Sequence, residues 1–98
     1  MDLVITAKEV RGNCAAGIRA GDKIVLSGAN IAMEESDRIC GFAFANIYPV
    51  VFATRLGKNV ADLGSARTVQ CIDPGPPHSA GGTVLFEIKA APPVVTGW

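Results

Sequence analysis

Between Arg38 and Arg55 the chain runs for about 16 residues without a charged side chain, and this stretch carries Phe42, Phe44, Tyr48 and Phe52. It is apolar on every side, with Asn46, Thr54 and the Tyr48 hydroxyl as its polar interruptions. A helix of that kind has to be buried on most of its surface. It is too short for a bilayer span, which needs about 20 residues, so the expectation is a helix buried in a core or a subunit interface. Ser36 or Asp37 is placed to cap its start, and Arg55 with Gly57 suits its end. Pro49 removes one backbone donor and crowds the preceding turn, which predicts a kink or two short helices over 37–47 and 49–56.

A chain of 98 residues supports one hydrophobic core. Around the helix, β-rich segments are predicted at Leu3 to Val10, Lys23 to Leu26, Ile31 to Met33, Arg67 to Ile72 and Thr83 to Ile88. Gly12-Asn13, Gly21-Asp22, Ser27 to Asn30 and Asp73-Pro74-Gly75 punctuate them with turn chemistry. The second and third form a hairpin, and the last two pair antiparallel. Lys58 to Ala66 reads as a loop, and Asp73 to Gly82, with three prolines and three glycines, as another. The fold class that follows is α+β: a small, mostly antiparallel sheet of about five strands packed on one Pro-kinked apolar helix. The domain spans 1–91. Residues 92–98 form a tail that cannot continue the sheet, although Val94, Val95 and Trp98 can dock on a neighbour.

Hydrophobic residues make up 49% of the chain and charged residues 18%, with formal net charge zero. A neutral chain lacks the electrostatic footprint of a nucleic-acid binder or a polybasic membrane-surface protein. Scarce charge and an apolar helix point to a homo-oligomer or a subunit of a larger enzyme complex. The N-terminus, Met1-Asp2-Leu3, has an acid where a secretory signal carries basic residues, which leads to a cytoplasmic expectation.

Three cysteines without a signal segment argue against a disulfide framework. Cys14, Cys40 and Cys71 lack C-x-x-C spacing, yet each lies at the end of a predicted element, where a small fold can bring ends together. Three thiolates hold zinc with an open position, or a [4Fe–4S] cluster with one iron free for a small-molecule ligand. His78, the single histidine, is the candidate fourth ligand. A helix start favours an anion, so Cys40 is the best-placed thiolate and the candidate nucleophile, with Asp73 or His78 assisting. Buried structural thiols are the plainer reading of all three. Asp22 and Asp73 follow turns, where carboxylates commonly hold backbone N–H groups. Glu34, Glu35 and Asp37 with Arg38 read as a solvated helix start. No P-loop lysine and no nucleophile elbow are present.

The ordered set Gly12-x-Cys14, Gly17 to Gly21-Asp22, Ile39-Cys40 leading into Tyr48-Pro49, Ala53-x-Arg55-x-Gly57, and Cys71-x-Asp73 before a Val-x-Phe-Glu strand resembles the TIGR04076 family of small uncharacterised proteins. The resemblance covers Leu3 to Lys89. It implies that Cys14, Cys40 and Cys71 fall on cysteine positions of the family pattern, and it brings no activity with it. This chain departs from many relatives by lacking a proline after Cys40 and by a Pro/Gly/His insertion before the last strand. The expectation is therefore a three-cysteine site for a metal or iron–sulfur cluster. The alternatives are a non-catalytic small subunit or interaction module and a small thiol-dependent enzyme.

Overall fold

The computed structural model describes residues 2–58 and 68–91. Most of the loop expected after Lys58, together with Arg67 and the tail 92–98, lies outside those residues. Five strands form one sheet: β1 (Asp2–Gly12), β2 (Lys23–Ser27), β3 (Asn30–Ile31), β4 (Val69–Gln70) and β5 (Gly82–Ala91). Their order is β3-β2-β1-β5-β4, and every neighbouring pair is antiparallel. One helix, α1 (Gly41–Arg55), follows a 3₁₀ turn at Met33–Glu35. Among the described residues the fold is α+β, a five-stranded antiparallel sheet with a single helix.

Register explains why one sheet face is the core. Ile5 stands opposite both Ile24 and Ile88, Leu3 opposite Leu26, and Ala7 opposite Phe86. Side chains directly across a ladder share a face, so these residues line up under Ala43, Ile47 and Val51 of α1. An irregularity between Ala7 and Glu9 shifts the alternation, so that Val10, opposite Val84, packs against the same core. Leu3, Ile5, Ile47, Val51 and Val84 are fully buried, each contributing about 1.5–3 kcal/mol by removal from water. The opposite face carries Thr6, Lys8, Glu87 and Lys89, with Glu87 3.2 Å from Lys89 and 4.0 Å from Lys8.

The helix departs from expectation at its start and its middle. Ser36 and Asp37 do not cap it. Ser36 Oγ accepts the Val25 N–H at 2.9 Å, and Asp37 Oδ2 accepts the Lys23 N–H at 3.0 Å. Both satisfy the outer edge of β2, where β3 is too short to pair. The N-cap is Cys40, whose side chain makes no capping bond. Nor is there a break at Pro49, because α1 runs through it from 41 to 55. Pro49 and Ala45 are both exposed, so the carbonyl that lost its intrahelical donor faces water. The C-terminus ends as its residues predict. Gly57, at φ +89°, donates to Thr54 O at 3.0 Å and Lys58 donates to Ala53 O at 3.0 Å, the two bonds of a Schellman motif. The polar interruptions are also satisfied: Asn46 Nδ2 donates to Gln70 O at 3.0 Å, tying α1 to β4, and Thr54 Oγ1 donates to Val50 O at 2.8 Å.

Candidate functional site

Cys40 ends a coil whose Asp37 is tied to the β2 edge, and the loop that leaves the end of β1 crosses close over Gly82. Gly82 permits that crossing: a Cβ there would fall 2.6–2.7 Å from the Asn13 backbone and the Cys14 nitrogen. The result is a cavity of about 150 Å³ between helix start, loop and sheet. Cys14, Ala16 and Ile18 line it from the loop, Cys40, Phe42 and Ala43 from the helix, and Cys71, Asp73 and Val84 from the sheet. Its wall is dominantly apolar.

All three cysteines therefore reach one cavity, and all three are free thiols. Cys71 is buried and the most constrained. Its Sγ accepts the Val84 N–H at 3.3 Å and lies 3.6 Å from both Thr83 Oγ1 and the Asp73 carbonyl. Its own N–H donates to Val84 O at 3.0 Å, continuing the β4–β5 ladder one residue past β4. Cys14 and Cys40 are half-buried. Cys14 holds the 14–17 turn through its carbonyl, which accepts the Gly17 N–H at 2.9 Å, and the Cys40 carbonyl accepts the Phe44 N–H at 2.8 Å. Neither bond uses sulfur, so both thiols are available to the cavity.

Asp73 lines the cavity but organises the loop behind it. Its Oδ1 accepts the Gly75 N–H at 2.8 Å and the Ser79 hydroxyl. Those two donors, the Ser79 hydroxyl foremost, hold the carboxyl below its ordinary value of 3.8. His78 is exposed in the same loop, with its N–H donated to Gly75 O at 2.9 Å, and does not line the cavity. Among the described residues, no three Cys, His, Asp or Glu side chains are grouped closely enough to hold a metal ion. Asp22 behaves as turn chemistry predicts, accepting the Arg19 N–H at 2.9 Å. It borders a second, open and polar groove with Gly17, Arg19, Asp37 and Arg38, whose two carboxylates are already engaged by backbone.

Sequence reasoning found the three cysteines and Asp73 and missed the apolar wall made by Ala16, Ile18, Phe42, Ala43 and Val84. The readable signal was Gly82, a second consecutive glycine opening a strand, where close backbone approach is one of the few reasons for the residue. In comparisons with known proteins, the chain matches no family model, no curated protein and no solved structure. No helix among the described residues is long and apolar enough to cross a membrane.

Proposed function

We propose that the protein is a small thiol-bearing binding module whose cavity takes a small, largely apolar ligand in contact with Cys14, Cys40 and Cys71. The convergence of these three residues, each from a different part of the chain, on one cavity carries the reading. A largely apolar pocket of about 150 Å³ is the size that holds benzene, which sets the ligand class by volume. Binding is favoured over catalysis because Asp73 is committed to its loop and His78 lies outside the cavity wall. Three reduced thiols suit a reducing compartment, and the cytoplasm is the setting of this proposal. The resemblance to the TIGR04076 family belongs to the same proposal, since all three of its cysteine positions contribute to the wall.

Zinc or an iron–sulfur cluster is the second reading, supported by the same convergence of thiols, and it requires the sulfurs to close around the metal. Benzene added to the protein is expected to shift the methyl resonances of Ala16, Ala43 and Val84 and to slow iodoacetamide labelling of the cysteines. Unmoved methyls with unprotected thiols would remove the ligand reading. Elemental analysis of anaerobically purified protein separates the two, because zinc or iron near one site per chain selects the metal.

A further inference from the structure

Among the described residues, the side of α1 that faces away from the sheet is apolar and exposed. Phe42, Tyr48, Phe52 and Leu56 are 81, 47, 49 and 67% exposed, and Gly41, Ala45 and Pro49 are exposed between them. No charged side chain interrupts the helix from Gly41 to Thr54. Tyr48 lies between two rings, 5.6 Å from Phe44 and 6.4 Å from Phe52 by centroids, forming an aromatic row along the helix.

Size is graded along the central row of this face, with Phe42 standing on its flank. Gly41 and Ala45 are small, Tyr48 and Pro49 stand in the middle, and Phe52 and Leu56 are large. Such a gradient complements itself in one direction only. With a second helix antiparallel and a two-fold axis between positions 48 and 49, Leu56 of one copy meets Gly41 of the other, Phe52 meets Ala45, and Tyr48 meets Pro49. Parallel pairing would set Phe52 on Phe52 and leave a gap between two glycines. We infer that this face is an isologous antiparallel interface between two copies of the chain.

The area agrees with a modest dimer. Large aromatic side chains bury about 150–250 Å² each when fully covered. At these exposures the face is on the order of 500 Å² per copy, or about 1,000 Å² in total, which is the threshold for a specific interface. Zero net charge leaves no long-range repulsion between copies. Phe42 belongs to both this face and the thiol cavity, so Phe52 and Leu56 of the second copy arrive beside the cavity mouth. That last consequence rests on the ligand reading; the dimer does not.

Sedimentation equilibrium from low to high micromolar protein is expected to show a monomer–dimer transition. The exposed-site variants A45E and F52K, checked for native fold by circular dichroism, are each expected to weaken it about tenfold or more. The double variant A45E/F52K sets opposite charges against one another only in the antiparallel register, and it is expected to recover dimerisation. A chain that stays monomeric at high micromolar concentration overturns the inference, as do single variants without effect or a double variant no better than the singles.

Discussion

The two long faces of α1 are both apolar, yet Ala43, Ile47 and Val51 are in the core while Phe42, Tyr48, Phe52 and Leu56 meet solvent. The residues against the sheet are Ala43, Ile47 and Val51, with Phe44 packed beside them, while the outward face mixes the small Gly41 and Ala45 with the large Phe42, Tyr48, Phe52 and Leu56. The sheet beneath supplies Leu3, Ile5, Phe86 and Ile88 from its own side, and interiors are close-packed, so the helix can contribute only side chains that fill what remains. Because both faces are apolar, apolarity alone does not distinguish them, and fit against the sheet does. A monomer adapted to water would place polar residues on the other face, and here bulky aromatics stand there instead.

This contrast can be broken most directly at Ile47, which is 1% exposed. Ile47→Ala is expected to cost about 2–5 kcal/mol of unfolding free energy in urea titrations; a cost no larger than that of an outer-face truncation would end the distinction. The next largest effect has the opposite sign. A proline in a helix interior is about 3 kcal/mol less favourable than alanine, and water already serves part of that deficit on this exposed side. Pro49→Ala is therefore expected to stabilise the monomer by about 1–3 kcal/mol in thermal melts followed by circular dichroism. Destabilisation would mean that the helix depends on the ring. Smaller still is Phe52→Ser, half-exposed at 49%. Measured at concentrations where the protein is monomeric, it is expected to cost about 1 kcal/mol, the share of a buried Phe that half exposure leaves, and a core-sized loss would show that the outer face is already covered.

The same contrast explains what could be read from residues alone. Ile39 to Leu56 announced a helix through apolar content, and Gly57 with Arg55 announced its end. The strands were legible in outline from alternation and turn residues, but β3 and β4 hold only two residues each and Met33 enters the 3₁₀ turn, while β1 and β5 turned out longer than their patterns suggested because each pairs with the other along most of its length. That pairing joins distant segments, and a local pattern does not encode it. Ser36 and Asp37 had the chemistry of helix caps, but the unpaired N–H groups of Lys23 and Val25 competed for them and won. The common cavity of Cys14, Cys40 and Cys71 was legible only as a possibility of element ends meeting. The Phe42 and Val84 parts of its wall depended on the same long-range register and were not.

The smallest expected effect lies at Asp73, which lines the cavity together with Phe42. Asp73 accepts the Ser79 hydroxyl and the Gly75 N–H, and its folded-state value is lowered from 3.8. Lowering means that folding prefers the charged carboxylate. Its contribution is thus fully present above 3.8 and is lost as pH falls through the lowered folded value. Asp73→Asn keeps the shape and one acceptor but has no proton to exchange, so the wild type should lose its advantage over the variant progressively in acid. Urea midpoints of the two proteins, taken from neutral pH down through this range, are expected to converge, and more weakly at high salt because the group is accessible to solvent. A gap that does not change with pH would assign the loop's order to hydrogen-bond geometry alone and leave the carboxylate charge without a part in holding the rim.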